Sequence, residues 1–347
     1  MDHTKEILQQ LPAALLPWYQ EHRRDLPWRQ EVSPYRTWVS EIMLQQTRVA
    51  AVIPYFQRFM AAFPTVEALA GCDTEQLLKL WEGLGYYSRA RNLQKAAAAI
   101  VQAGAFPQTY RELTALPGIG DYTAGAILSI AFHQPVPAVD GNVLRVASRL
   151  TGSRDNILDT AVRRRWRGIM ESIMPADAPG AFNQALMDLG AMVCLPGGEP
   201  VCDACPAAAF CQARALGLQR QLPVRAGKPE KKVEHHTVFL LLQEGQAALR
   251  QRPDAGLLAG LWEYPHVPGT LDEADAARQL AQWGLTPRRW VKSLKFRHLF
   301  THIRWELTGY VAEVRGTGPA DWLWANEEQR QQLAIPSAFE KLTREWA

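Results

Sequence analysis

Four thiols crowd between Cys194 and Cys211 in the pattern Cys194-x7-Cys202-x2-Cys205-x5-Cys211, with Pro196, Gly197, Gly198, Pro200 and Pro206 interleaved. Soft thiolates in a loop that Pro and Gly allow to fold around a centre are metal-binding chemistry. Only Cys202 and Cys205 form the tight Cys-x2-Cys chelate that suits zinc, and no histidine lies near. The uneven spacing suits a cubane iron–sulfur cluster, whose corners lie further apart than the bonds around one ion, ahead of zinc. Disulfides rank last, because residues 1–30 are charged and lack the apolar core of a secretory leader. No apolar run approaches membrane-spanning length. A reduced cytoplasmic setting is therefore expected, with Cys72 a small packed thiol.

Two carboxylates offer acid–base chemistry. Asp140 lies in Val139-Asp140-Gly141-Asn142-Val143, ahead of a helix with core face Val143, Val146, Ala147 and Leu150. An Asp in that place is an ordinary N-cap. Pro135 and Pro137 nevertheless fix the approach, and Gly141 removes a side chain beside the carboxylate, leaving room for something bulky. Glu41 shares a helical face with Gln45 and Arg48, opposite the apolar stripe, and by spacing alone that is a solvated face. On the same segment Gln45, Gln46 and Thr47 carry groups suited to hydrogen-bonding an unpaired base. Finally, Leu116-Pro117-Gly118-Ile119-Gly120 separates two helical pieces. Gly118 and Gly120 permit a tight turn whose N–H groups, opening the next helix, can hold a phosphate, although any tight helical hairpin can use glycine this way.

These residues need a scaffold, and residues 1–212 read as helical. Val39, Ile42, Met43, Ala50 and Ile53 recur at helical spacing, with Pro54 marking the end of that helix. Further helical stretches fall near 74–81, 88–103, 121–132, 142–150, 160–174 and 181–193. Beyond residue 235 the texture changes: TVFLLLQ, QAALRQR and HIRWELTGYVAEV read as strands, and LDEADAARQLAQWG as a helix. The expected architecture is an all-α domain over 1–212, a joint over 213–234, and a smaller α+β domain over 235–347. The net charge of +3 is too small to announce a nucleic-acid partner. Its distribution says more: residues 213–232 hold six Lys and Arg against Glu230 alone, which suits an exposed linker or a strap on DNA.

Taken together, LPWR (26–29), WVSEIMLQQTRV (38–49), WEGLGYYSRARNL (81–93), LPGIGDYTAGAILS (116–129), AVDGNVLRV (138–146), FNQALMDLGAMVC (182–194) and the cysteine quartet resemble the adenine DNA glycosylases of the MutY type. That family sits within the helix-hairpin-helix, iron–sulfur glycosylase superfamily. One departure is clear: the first cysteine gap is one residue longer than the family's usual gap.

The resemblance implies removal of adenine mispaired with 8-oxoguanine in double-stranded DNA, after the nucleotide is flipped out, by a monomer holding one [4Fe-4S] cluster on Cys194, Cys202, Cys205 and Cys211. Cleaving an N-glycosidic bond calls for a protonated leaving base and a stabilised sugar cation, work for two carboxyl groups. By motif position Glu41 is the acid and Asp140 the stabiliser; Tyr122 would hydrogen-bond near Asp140, and Asn142 would orient sugar or water. Tyr122 stands where the related endonuclease III type has a Schiff-base lysine, which implies a monofunctional enzyme. The adenine pocket would involve Arg24, Leu26, Trp28, Arg29 and Gln184, with Gln46 and Tyr86 wedging into the base stack and Gly118 and Gly120 shaping the phosphate hairpin.

The second domain resembles a Nudix module through Gln251-Arg252-Pro253, GLLAGLWEYP (256–265) and FRHLFTH (296–302). It lacks the Arg-Glu-x-x-Glu-Glu core that would hold magnesium, so nucleotide hydrolysis is not expected. Phe300, Thr301 and His302 occupy the place where the family recognises 8-oxoguanine. Two other readings remain: a glycosylase/lyase acting on oxidised pyrimidines, and a non-catalytic DNA-binding iron–sulfur protein whose carboxylates are caps.

Overall fold

The computed structural model describes residues 3–227 and 230–345, which gather into two compact units that do not follow chain order. One comprises Met1–Gly71 with Asn92–Lys228, the other Cys72–Arg91 with Pro229–Ala347. Among the described residues no helix is long and apolar enough to cross a membrane.

The first unit is helical, and its helices start where the chain supplies caps. Ser33 accepts from Arg36 N–H ahead of the helix Pro34–Leu44, with Pro34 in the first turn. Thr109 and Glu112 form a reciprocal capping box on Tyr110–Ala115. Asp140 caps Gly141–Thr151, which ends on left-handed Gly152. Around that last helix lies a helical core, with Leu8, Leu11, Leu15, Trp166, Phe182 and Leu189 against Val143, Val146, Ala147 and Leu150.

The single helix expected through Val39 to Ile53 is in fact two. Pro34–Leu44 ends at a kink where Gln46 adopts a φ of 61°, and Val49–Ala62 follows. Pro54 does not end this second helix. It sits one turn in, where its missing N–H removes one backbone bond without stopping the chain. The basic stretch also differs from a fully exposed linker over its first part. Gln212–Ala215 is helical, Leu222 is buried with its carbonyl accepting from Arg149 Nε at 2.9 Å, and Val224 bridges Asn156.

The second unit is built on a seven-stranded sheet: β1 Lys232–Gln243, β2 Gln246–Gln251, β3 Trp262–Glu263, β4 His266–Pro268, β5 Leu285–Leu299, β6 Ile303–Gly316 and β7 Leu323–Ala325. The main path runs β3-β2-β1-β6-β5, with β4 on β1 and β7 on β2. The parallel β1–β6 ladder and the antiparallel β5–β6 hairpin are its long pairings. Because side chains alternate along a strand, Val238 and Leu240 of β1 enter a core with Trp305 and Phe339, while Phe239 and Leu241 enter another with Ala276 and Leu280 of the helix Glu273–Gln282. The segment 72–91 belongs here by its bonds: Lys79 Nζ donates to Leu333 O at 3.0 Å, and Ile335 N to Glu82 Oε1 at 3.0 Å.

Candidate active site

Asp140 is delivered by an extended lead-in that the first unit grips from two sides. Asn183, 1% exposed, accepts from Ala138 N–H and donates to Val136 O and Ser129 Oγ, spanning the lead-in and the helix Asp121–Ala131. On that helix Gly125 has no side chain because a Cβ there would meet Pro137 O at 2.2 Å. So held, Asp140 Oδ1 accepts from Asn142 N–H at 2.9 Å and Val143 N–H at 2.8 Å, and Oδ2 from Asn142 Nδ2 at 2.7 Å. Arg145 in turn donates to Asn142 Oδ1, Cys194 O and Gly190 O, fixing Asn142 from below.

Glu41 is 5% exposed and so lies far from the solvated face its spacing suggested, because periodicity does not reveal which neighbouring elements cover a helix. Tyr122 donates its hydroxyl to Glu41 Oε2 at 2.7 Å. The phenol expected to hydrogen-bond near Asp140 serves Glu41, while the donors on Asp140 come from the first turn of its own helix. Burial pushes the Glu41 carboxyl up to about 7; the Tyr122 bond and Arg29 pull against it, and Asp140 adds to it. Burial also raises Asp140, opposed by the Val143 and Asn142 donors and by Arg145. The Tyr122 hydroxyl, desolvated and facing both carboxyls, stays well above its ordinary range and remains a donor.

Glu41, Tyr122, Asp140 and Asn142 line one cavity of about 440 Å³ with Arg24, Leu26, Trp28, Arg29 and Gln184. Nine residues singled out in the sequence thus meet in one place. Met187 and Thr37 also line it, and no motif or spacing marked either. Behind the wall stands Asp188, wholly buried, whose bonds to Arg24 and Arg29 sequence reasoning missed; its one signal was a lone charge within the apolar run ALMDLGAMV. No lysine is among the described lining residues.

The remaining candidates lie elsewhere. Gly118 has a φ of 79° in the turn between Tyr110–Ala115 and Asp121–Ala131, and Gly120 is the N-cap of the latter. Gln46 is exposed at the kink after Pro34–Leu44. In the second unit Tyr86 is exposed with a φ of 49°, and its hydroxyl pairs with Thr301 Oγ1 at 2.7 Å. Phe300, Thr301 and His302 form the tip of the β5–β6 hairpin, where Phe300 packs edge-on against Trp305 while Thr301 and His302 are exposed.

The four cysteines are free thiols lining one small apolar cavity with Val146, Leu150 and Val193. Four thiols around one cavity are a donor set for a soft metal group, although among the described residues no three His, Cys, Asp or Glu side chains are gathered as a metal site. Arg149 Nη1 lies 3.3 Å from Cys194 Sγ, a donor suited to a thiolate ligand. The extra residue of the first gap falls in an exposed bulge where Gly197 and Gly198 have φ of 69° and 72°, and Val201 N–H closes its neck on Val193 O at 2.9 Å.

Residues 39–171 match the family model of the HhH-GPD superfamily base excision DNA repair proteins, and residues 237–345 that of the NUDIX domain. The chain is 35% identical over 399 residues to the human adenine DNA glycosylase, covering 96% of this chain and 73% of that protein. It is 31% identical over 348 residues to the adenine DNA glycosylase of Buchnera aphidicola from Acyrthosiphon pisum, covering 98% and 97%. Among solved structures, a thermostable thymine-DNA glycosylase superposes with a TM-score of 0.56 at 26% identity, over 62% of this chain and 100% of that one.

Proposed function

Because the chain belongs to the adenine DNA glycosylase family, we propose that it hydrolyses the N-glycosidic bond of adenine paired with 8-oxoguanine in duplex DNA, with Glu41 and Asp140 as its two working carboxyls. The observation that carries this reading is the pair itself: two buried carboxyls in one cavity, one holding its proton near neutrality through burial and the other gripped by three N–H donors that favour its ionised form. Adenine turned out of the duplex enters the cavity between Leu26, Trp28 and Gln184. Glu41, oriented by Tyr122, gives its proton to the departing base as the bond to the sugar breaks. Asp140 faces the positive sugar, and water completes the abasic site with its spare proton returned to Glu41.

With tyrosine at 122 and no lysine among the described lining residues, the cavity offers no side-chain amine for a Schiff base, and the enzyme is monofunctional. Cys194, Cys202, Cys205 and Cys211 would hold one [4Fe-4S] cluster, which would supply a rigid cross-link beside the core. The hairpin tip Phe300–His302 senses the 8-oxoguanine, Thr301 being steadied by Tyr86.

A duplex with one 8-oxoguanine·adenine pair tests the reading. Scission of the adenine strand only after hot alkali is the expected result. Scission without alkali, or a stoichiometric borohydride adduct, would show a lyase, and no scission after alkali would leave a binding protein. Iron and sulfide analysis should find four of each per chain; zinc in their place would overturn the cluster alone.

A further inference from the structure

We propose that Asp188 is a positioning residue which, without touching the base, holds Arg24 and Arg29 in the wall of the adenine cavity and offsets their charge so that Glu41 keeps its proton. This rests on the reading of Glu41 as the acid, and deepens it.

The geometry is that of a deliberate clamp. Asp188 has no solvent exposure and is not among the lining residues, so it cannot meet substrate directly. Its Oδ1 takes Arg24 Nε at 2.7 Å and Arg29 Nη2 at 3.1 Å, and its Oδ2 takes Arg29 Nη1 at 2.7 Å and the backbone N–H of Arg24 at 3.3 Å. Arg24 and Arg29 both line the cavity with Glu41. Asp188 owes its inward aim to where it stands: it is the last residue of the helix Pro179–Asp188, just before the chain loosens into the π-turn Leu189–Val193. Such turns re-aim side chains within a helical run.

The charges decide what the clamp does. Glu41 shares the cavity with Arg29 from the helix Pro27–Gln30, Arg24 and Arg48 from flanking segments, Tyr122 from the helix Asp121–Ala131 and Asp140 at the cap of Gly141–Thr151, and of these Tyr122, Asp140 and Arg29 act on its carboxyl. Two unopposed guanidiniums would favour the Glu41 carboxylate and strip the acid of its proton. One buried carboxylate between them cuts their combined charge from two to one. Arg29 already pulls the Glu41 carboxyl down, so the sign is fixed.

Asp188→Asn keeps the shape and removes the charge. The alkaline limb of single-turnover adenine release should then move to lower pH by about one unit, as expected for one charge in a partly screened site. A purely structural role would lower the rate equally at every pH and leave the limb in place, and that result would overturn the proposal. Arg29→Met should move the limb upward, and the pair Asp188→Asn/Arg29→Met should bring it back towards the wild-type position. If Asp188→Asn does not fold, Arg29→Met decides: an unmoved or lowered limb sinks the idea. Titration of 13C-labelled Glu41 by isotope-edited infrared, in protein without DNA, reads the same shift independently. Wild-type protein that releases no adenine would therefore refute the functional reading, while a Glu41 titration unmoved by Asp188→Asn would refute this one.

Discussion

A glutamate that keeps its proton near neutrality is unstable in its charged form, and this has a measurable sign. The folded value of Glu41, about 7, lies above the ordinary 4.5, so its contribution to stability is full below pH 4.5 and is lost as pH rises through 7. Glu41→Gln should therefore melt like the wild type at pH 4 but resist urea better at pH 8, by about 3 kcal/mol. Base release should fall by roughly 10³-fold in the same variant. An equal stability difference at both pH values would mean that Glu41 is not buried as described. Tyr122→Phe is the subtler change. It removes the one hydrogen bond that lowers the Glu41 carboxyl, so the alkaline limb of activity should move upward with only a modest loss of rate.

Turns and hairpins present the groups that meet DNA. Gly118 combines a φ of 79° with a Cβ position 2.9 Å from Asn92 Cβ, so Gly118→Ala meets both strain and a clash. It should cost roughly 1–2 kcal/mol in melting experiments and weaken binding to duplexes of any sequence. A change confined to one sequence would contradict a backbone role. The β5–β6 hairpin is stiff up to its tip: Phe300 N–H bonds Ile303 O at 2.9 Å, and Lys231 Nζ bonds Phe300 O at 2.8 Å. His302→Ala should therefore leave the fold intact and erode discrimination between 8-oxoguanine·adenine and guanine·adenine pairs. Unchanged discrimination would remove His302 from lesion sensing.

The two compact units interleave along the chain, which bears on any attempt to divide it. Residues 72–91 bond to Ala259, Leu333 and Ile335, so cutting the chain near residue 229 would strip that segment of its partners, not merely delete a module. Hydrogen exchange over 72–91 should accelerate at least tenfold in such a truncation, the signature of lost local bonds. Protection equal to the full chain would show that the segment stands without them.

Spacing within the chain was enough for the cysteine quartet, the Gly118–Gly120 turn, the helical texture of the first part and strands β1, β2 and β6, because each is a local pattern of residue type and period. Strand β5 escaped because LTPRRWVKSLKFRHL has no clean alternation; it pairs along β6 through register shifts near Pro287 and Trp290. The motifs also pointed to Glu41, Tyr122 and Asp140, but not to their bonds. Only the packed chain brings Glu41 and Asp140 to one cavity, buries the first until its proton stays, and turns Tyr122 to it. The same packing sets Asp188 behind two arginines whose positions in sequence say nothing of it. Burial and contact across many residues are properties of the assembled core, and no period along the sequence encodes which distant surface will cover a given side chain.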